Sequence, residues 1–309
     1  MNIFVTGGAG YIGSVLIPNL LNQGHVVSVF DSLRYGGTSL LPCFSNTRFS
    51  FLKGDIRNRQ ALAACLENAD LIIHLAAIVG LPACNRDPQL AYSTNYEGTK
   101  NLLDLKSPEQ SLIFASTVSN YGAIAEGLCD ETTPLNPLSH YAKTKAEAEK
   151  AVLDAPNTVC LRFATAFGVS PRMRLELLII DFVFQVFTNR FLIIFERHYK
   201  RTFVHVRDIA LSIQFAIAHY DTMRQGLFNV GDDANNLSKE EIAAMIKTKM
   251  DFHLHYSDDG EDEDQRNYRV SYKKINGLGF KTTTTVPEGI DELLKSCPVL
   301  ELKHPYRNT

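Results

Sequence analysis

The sequence predicts an α/β protein built on a doubly wound parallel sheet, with a smaller C-terminal lobe. Strand-like and helix-like runs alternate through the first half of the chain, which is typical of a parallel sheet covered by helices on both faces. The alternation weakens after Thr165. The chain has 309 residues, of which 45% are apolar. That length and composition suffice for one large domain and one small lobe.

The predicted strands are short runs rich in β-branched and aromatic residues. They are Asn2–Thr6, His25–Phe30, Phe49–Leu52, Asp70–Leu75, Ser111–Ala115 and Thr158–Phe163. The runs between them carry apolar residues at helical spacing, as Ile12, Leu16 and Leu20 illustrate. The four predicted helices are Tyr11–Asn22, Arg59–Glu67, Leu90–Leu105 and Tyr141–Leu153.

The second half contains a more varied series of segments. They are a basic loop at Ser170–Arg174, a helix at Leu175–Phe187, a strand at Phe191–Phe195, a strand-to-helix unit at Thr202–His219, a helix at Lys239–Lys249 and an acidic, solvated loop at Asp258–Asp264. We predict a main domain of residues 1–165, to which 202–232 returns. The remaining segments, 166–201 and 233–309, form the smaller lobe.

Composition and charge exclude several classes of protein. A net charge of −3 predicts neither a nucleic-acid partner nor an anionic membrane surface. The six cysteines form no Cys-x-x-Cys pair, and the nine histidines lack metal-ligand spacing. We therefore expect no metal, reduced thiols and a cytoplasmic location. The apolar run at 175–195 is too interrupted by polar residues for a membrane span, and no signal peptide is recognisable.

A glycine-rich turn, TGGAGYIG, follows the first strand and opens the first helix. Glycine permits a tight turn and a close approach to a pyrophosphate, and the helix N-terminus favours the anion. A merely flexible turn would not require the strand before it and the helix after it. We therefore predict a Rossmann-type dinucleotide site that includes Gly7, Gly10, Tyr11, Ile12 and Gly13.

Asp31, at the end of the second predicted strand, indicates NAD as the cofactor. A carboxylate there can accept hydrogen bonds from both ribose hydroxyls of the adenosine and would repel the 2′-phosphate of NADP. Arg34 lies close enough in sequence to keep NADP as the alternative. The other predicted cofactor contacts follow this strand or its neighbours and are Ser32, Leu33, Asp55, Ile56, Leu75, Ala76 and Ala77. For Asp55 the alternative is an ordinary turn aspartate.

Tyr141 and Lys145 are four residues apart, so they share one face of a predicted helix. A free tyrosine has a pKa of about 10, too high for a base near neutrality. A neighbouring cation favours the phenolate, which can then accept a proton from a substrate hydroxyl. Thr117 and Ser119 follow the fifth strand, where side chains face the ligand crevice and can bond to the reacting oxygen. The alternative for these two hydroxyls is ordinary turn chemistry.

Together these residues resemble the extended short-chain dehydrogenase/reductases, notably the NAD-dependent nucleotide-sugar epimerases and dehydratases. The resemblance runs from TGGAGYIG through YAKTK to RTFVHVRD. It implies that Thr117 is the catalytic hydroxyl, Tyr141 the base and Lys145 the catalytic lysine. It also implies that Asn95 frames the cofactor pocket and that two copies form a homodimer through the third and fourth predicted helices.

The resemblance implies a nucleotide-diphosphate sugar, GDP- or UDP-linked, as the substrate of the smaller lobe. Arginine forks suit diphosphates. Arg201 matches the family's diphosphate arginine and Arg266 is similar to the second, while Arg172 and Arg174 of the basic loop are further candidates. We interpret Arg207 and Arg269 as surface charges.

The segments FGVSPRMRLELL and AAIVGLPAC are most similar to a subgroup that acts on sugars of bacterial surface polysaccharides. That subgroup includes GDP-heptose 4-dehydrogenases and related epimerases. Three residues depart from the family pattern. Thr165 replaces a common Asn of the family, although we keep Thr165 in the predicted substrate site. Ile180 replaces an Asn of the subgroup, and Leu81 replaces a frequent Asp. These departures leave the nucleotide and the sugar open.

The residues after Thr117 separate the possible reactions. Dehydratases of this family carry acidic residues there, whereas Val118 and Ser119 cannot perform such proton transfers. We therefore predict an epimerase that oxidises a sugar hydroxyl, by resemblance at C4, to a transient keto-sugar and then returns the hydride. A net 4-dehydrogenase begins with the same step and stays open. The intact Thr117, Tyr141 and Lys145 argue against a silent NAD-binding protein.

Overall fold

The computed structural model describes residues 1–123, 127–257, 266–300 and 307–308. The predicted acidic loop at Asp258–Asp264 lies outside these residues. The strands are β1 Asn2–Thr6, β2 Val26–Asp31, β3 Phe49–Lys53, β4 Leu71–His74, β5 Ser111–Thr117, β6 Thr158–Phe163, β7 Thr165–Phe167, β8 Phe191–Phe195, β9 Lys200–His205, β10 Gly226–Val230, β11 Asn236–Ser238 and β12 His253–Ser257.

The helices are α1 Gly13–Asn22, α2 Arg59–Leu66, α3 Leu81–Arg86, α4 Pro88–Tyr92, α5 Gly98–Leu105, α6 His140–Asp154, α7 Leu178–Asn189, α8 Val206–Ala218, α9 Tyr220–Met223, α10 Lys239–Lys247, α11 Lys273–Gly277 and α12 Val286–Ser296.

Seven parallel strands form the main sheet, in the order β3-β2-β1-β4-β5-β6-β10. The chain runs outward from β1 to β3, then crosses back to β4 on the other side of β1. This reversal makes the sheet doubly wound, and ligands bind beyond the carboxyl ends of the strands at such a switch point. The predicted fold class is therefore confirmed. Helices cover both faces, so strands such as β4 and β6 are buried along their whole length.

Two small sheets complete the molecule. One contains β11, β9 and β7, and the other pairs β12 with β8. A second apolar core joins α7, α10 and α12 to these strands. Downstream of β9, α8 packs against α1 and β10 lies beside β6 in the main sheet. The domain boundaries at 165, 201 and 232 stay a prediction.

The predicted helix Leu90–Leu105 is interrupted by one turn of π-helix at Ser93–Glu97. Asn95 lies in this turn and is buried. Its side chain accepts a hydrogen bond from Ile78 N at 2.7 Å and donates to Ile78 O at 2.9 Å. It also donates to Thr144 Oγ1 at 3.0 Å. The wider turn directs Asn95 at the segment after β4, and this contact between distant segments has no local sequence pattern.

Two kinds of feature, membrane-spanning helices and clusters of metal-ligand side chains, are absent from the described ranges. No helix in them is long and apolar enough to cross a membrane. Likewise, they contain no group of three or more His, Cys, Asp and Glu side chains that could hold a metal ion. All six cysteines lie in these ranges and are free thiols.

Candidate active site

A cavity of about 480 Å³ lies at the carboxyl ends of β1, β2, β4 and β5. The segment after β6 and two residues from the C-terminal part of the chain, Arg266 and Asn308, close it from above. Of the residues predicted for the site, those lining the cavity are Gly7, Gly10, Tyr11, Ile12, Gly13, Asp31, Ser32, Asp55, Ile56, Leu75, Ala76, Ala77, Thr117, Ser119, Tyr141, Lys145, Thr165, Arg172, Arg174 and Arg266.

The glycine-rich turn forms the floor of this cavity. Gly7 has a positive φ of 74°, and a Cβ there would lie 2.5 Å from Ala76 N, so the end of β4 packs directly against the turn. A Cβ on Gly13 would collide with Gly8. Gly10 differs, because its nearest contact would be Gly7 O at 3.2 Å. Two of the glycines therefore allow close packing, whereas a Cβ on Gly10 would meet a single backbone atom, and Gly10 lines the cavity.

Asp31 occupies the edge of the cavity beyond β2. Its Oδ2 accepts a hydrogen bond from Ala9 N at 2.9 Å, and its Oδ1 accepts one from Leu33 N at 2.8 Å. Burial raises the pKa of this carboxyl, while the two backbone bonds and Arg172 lower it. Leu33 does not line the cavity, and its part in this geometry is to orient Asp31 through its N–H. Asp55 lines the cavity as an ion pair with Arg57 at 2.6 Å.

The hydroxyl groups of the predicted catalytic set meet in the middle of the cavity. Thr117 ends β5, and its Oγ1 accepts a hydrogen bond from Ser119 N at 3.1 Å. Burial raises the pKa of Tyr141 to about 12, while the charges of Arg174 and Arg266 and a hydrogen bond with Thr117 lower it. Among these opposing effects that of Arg174 is the largest. Sequence reasoning assigned Arg174 to the substrate and missed its effect on the phenol.

Lys145 lies one helical turn beyond Tyr141 and is buried. Its Nζ is 3.9 Å from the centroid of the Phe114 ring, a cation–π contact. Burial lowers the pKa of Lys145 to about 8, against the raising effects of Cys160 and Glu149. Cys84, near Tyr141, has a pKa raised to about 12 by burial. It is therefore a neutral thiol, unsuited to act as a nucleophile.

The predicted substrate arginines occupy different places. Arg174 donates to Glu176 Oε1 at 2.8 Å, and Arg266 donates to Ser119 Oγ. The charges of both arginines act on the Tyr141 phenol, so both cations lie near the predicted base. Arg201 is buried outside the cavity lining and donates to Lys200 O at 3.2 Å. Thr165 lines the cavity, and its buried Oγ1 has no hydrogen-bond partner within the described part of the chain. A ligand could supply that partner.

Sequence reasoning also missed residues of the upper rim. Tyr35, after β2, and Val79, after β4, line the cavity, and Asn308 reaches it from the end of the chain. Tyr35 and Val79 adjoin segments that were predicted, so an extension by a few residues would have included them. Asn308 is 136 residues from its partner Arg172 and belongs to no recognisable motif.

Comparison with known proteins assigns the family. Residues 3–231 match the description of the NAD dependent epimerase/dehydratase family. The chain belongs to this family. A low-salt glycan biosynthesis protein of Haloferax volcanii is 28% identical over 94% of this chain and 96% of its own length. A UDP-glucose 4-epimerase of Halalkalibacterium halodurans is 32% identical over 78% of each chain.

A solved structure with the same fold is UDP-glucuronic acid 4-epimerase from Bacillus cereus, in complex with UDP-glucuronic acid and NAD. It aligns with a TM-score of 0.86 and 25% identity, covering 97% of this chain and all of that one. As a member of the NAD-dependent epimerase/dehydratase family, this chain uses NAD as its cofactor. The residues present fit that group, because the cavity is lined both by a glycine turn that can accept a pyrophosphate and by a carboxylate that can accept hydrogen bonds from ribose hydroxyls.

Three predicted residues do not line the cavity of this family member: Leu33, Asn95 and Arg201. Leu33 and Asn95 contact the residues that do, namely Asp31 and Ile78. The roles of these and of the lining residues stay predictions. The geometry brings the predicted base, hydroxyls, lysine and three of the four arginines to one cavity.

Proposed function

We propose that this protein is a nucleotide-sugar epimerase that oxidises a sugar hydroxyl, at C4, and then restores it with the opposite configuration. The observation that supports this is the distribution of acids. Among the described residues, the carboxylates that line the cavity are Asp31 and Asp55, both at its adenosine end. Val118 is buried in the core, and Ser119 carries only a hydroxyl. Elimination of water would require an acid beside Thr117.

Tyr141 acts as the base. Its phenolate accepts the proton of the sugar hydroxyl, and Arg174 and Arg266 favour that phenolate. Thr117 donates a hydrogen bond to the same sugar oxygen. NAD, when bound, would supply the hydride acceptor for that carbon and the hydride donor for the return step. Lys145, buried one turn away, would hold the nicotinamide ribose, and Tyr141 returns its proton in the second half of the reaction.

The substrate we propose is a sugar linked to UDP or GDP. Arg174 and Arg266 are two cations that line the cavity, and a diphosphate can accept bidentate hydrogen bonds from such guanidinium groups. The relatives named above include a UDP-glucose 4-epimerase and a UDP-glucuronic acid 4-epimerase. Both names support a nucleotide sugar with C4 as its reacting carbon.

A panel of UDP- and GDP-linked sugars tests this function. Each is incubated with the purified protein, the sugar is identified by NMR, and NADH is followed by absorbance. We expect one sugar to be inverted at C4 without accumulation of NADH. Tyr141→Phe is the matched control, since it keeps the ring and should slow the reaction about 10²–10⁴-fold. NADH formed in proportion to product indicates the net dehydrogenase, and loss of water indicates a dehydratase. Either result contradicts the proposal.

We also propose a homodimer formed through α6 and the predicted helix Leu90–Leu105, which comprises most of α4, the π-turn and α5. Tyr92, just before the π-turn, exposes 40% of its surface and packs near Tyr96, with ring centroids 5.3 Å apart. Aromatic residues on an exposed helical face suit an interface with a second copy. Sedimentation should give a dimer mass for the wild type and a monomer for Tyr92→Lys. A monomeric wild type would contradict the proposal.

A further inference from the structure

A bridge of side chains joins the segments that follow β2 and β4 at the cavity. In the main sheet, β1 lies between β2 and β4. Tyr35 follows β2, Val79 follows β4, and Arg172 and Asn308 connect them. The guanidinium carbon of Arg172 is 4.3 Å from the Tyr35 ring centroid, and its Nη2 donates to Asn308 Oδ1 at 2.6 Å. Asn308 Nδ2 in turn donates to Val79 O at 3.3 Å.

One donor of this bridge is unused. Arg172 is only 4% exposed, and within the described part of the chain its buried Nε has no hydrogen-bond partner. Leaving an ionised donor buried and unsatisfied is costly, so such a group calls for an acceptor. The guanidinium lines the same cavity as the glycine-rich turn, and Ser170 of the same loop donates from its Oγ to Tyr11 O at 2.7 Å. The pyrophosphate of a dinucleotide binds at such a turn. A phosphate oxygen is a negatively charged acceptor and would satisfy this N–H donor.

We propose that Arg172 and Asn308 close over the NAD pyrophosphate and retain the cofactor from one turnover to the next. This reassigns Arg172 from the sugar diphosphate, its predicted ligand, to the cofactor. The proposal rests on the proposed epimerase function, in which NAD is regenerated in place and need not leave. A net dehydrogenase would instead have to release its reduced cofactor in every cycle.

The rate of NADH release tests the bridge without any sugar. The full chain is loaded with NADH, excess ADP-ribose is added to occupy emptied sites, and the loss of bound-NADH fluorescence is followed. Asn308→Ala and Arg172→Met should each release NADH roughly tenfold faster or more, the effect of losing a hydrogen bond to a charged group. The double variant should be little faster than Arg172→Met, because both changes break one bridge.

Arg86→Ala is the matched control. Arg86 ends α3, is exposed and does not line the cavity. Its removal should leave the release rate close to that of the wild type. Wild-type release from Asn308→Ala, or equal acceleration in Arg86→Ala, would overturn the proposal. Asn308→Ala decides the matter alone if Arg172→Met does not fold. Because no sugar is present, failure here is distinct from failure in the epimerase assay.

Discussion

At the scale of single residues, burial and nearby positive charges shift the pKa of the predicted base, Tyr141, in opposite directions. Burial disfavours the phenolate of Tyr141 and raises the pKa of the phenol to about 12. Arg174 gives the strongest opposing effect and is itself oriented by Glu176. The electrostatic help that sequence reasoning expected from Lys145 therefore comes in large part from Arg174, in the loop between β7 and α7.

We expect Arg174→Met to move the pH profile of kcat to higher pH. Removing the cation raises the pKa of Tyr141, so a smaller fraction is ionised at any given pH. Below that pKa, kcat should fall about tenfold for every pH unit that the profile moves. Glu176→Gln is the control, because it leaves the Arg174 charge uncompensated and should move the profile the other way. An unchanged profile in Arg174→Met would show that this charge does not act on the base.

The buried charge of Lys145 should lower the stability of the NAD-free protein even though Lys145 supports NAD binding. Lowering its pKa from 10.5 to about 8 corresponds to about 3 kcal/mol, and its cation–π contact returns about 1–2 kcal/mol. Lys145→Met should therefore stabilise the NAD-free protein by about 1 kcal/mol at pH 7 and weaken NAD binding. Because the folded pKa is the lower one, the advantage should shrink as the pH rises from about 8 to about 10.5.

Urea unfolding and NAD titration measure these two effects. The control is Lys143→Met on the exposed face of the same helix, which should alter neither. A loss of stability in NAD-free Lys145→Met would contradict the expected burial cost.

At the scale of elements, a buried ion pair connects α6 to the strands beneath the site. Arg162 on β6 donates two hydrogen bonds to the Glu149 carboxylate, from Nη2 to Oε1 at 2.6 Å and from Nε to Oε2 at 2.9 Å. Ser116 on β5 also donates to Oε2, at 2.6 Å. Glu149 is two helical turns beyond Tyr141. The pair therefore positions the base relative to Thr117 without touching the cavity.

Glu149→Gln should reduce the free energy of unfolding by about 3 kcal/mol, because the buried guanidinium loses its counter-charge. The double change Glu149→Met with Arg162→Met should cost less than the single one, since no unpaired charge remains. Urea unfolding measures both. Glu147→Gln, exposed on the same helix, is the control and should stay within about 0.5 kcal/mol of the wild type. A cost for Glu149→Gln as small as that of the control would contradict the prediction.

At the scale of the whole molecule, His74 links the centre of the sheet to the helical layer. Its Nδ1 is 2.6 Å from Thr6 Oγ1 on β1, and its Nε2 is 2.9 Å from Thr99 Oγ1 on α5. The Thr99 hydroxyl donates to Asn95 O, so its oxygen can accept the Nε2 hydrogen. This arrangement suits a neutral ring. Burial, with the charge of Lys145, lowers the pKa of His74 to about 3.

This histidine should make the fold sensitive to acid. Its folded pKa is below the unfolded value of 6.5, so protonation favours the unfolded chain, and stability is lost as the pH falls from 6.5 toward 3. Between pH 7 and pH 5, the advantage of the wild type over His74→Gln in unfolding free energy should shrink by about 2 kcal/mol. His198→Gln, at an exposed site, should unfold in parallel with the wild type. Parallel curves for His74→Gln as well would contradict the prediction.

The sequence alone determined the main fold and most of the cavity. All six predicted strands and all four helices of the first half are present, although a π-turn interrupts the third helix. Alternating apolar runs and the turn after β1 are local patterns, and local patterns follow from backbone periodicity. The small sheet of β7, β9 and β11 was not predicted, because strands of three residues such as β7 and β11 carry too few side chains to show a period.

Only the tertiary structure decided which distant residues share the site. It placed Arg172 beside Asn308, Arg174 beside Tyr141, and Arg201 outside the cavity lining. One-dimensional spacing contains no information on such pairs, because they depend on how the lobe packs onto the main sheet. In the sequence, an arginine is the same residue whether its guanidinium lies on a surface, in a core or against a phosphate. Its partners and its burial distinguish these roles, and both arise only when the chain has folded.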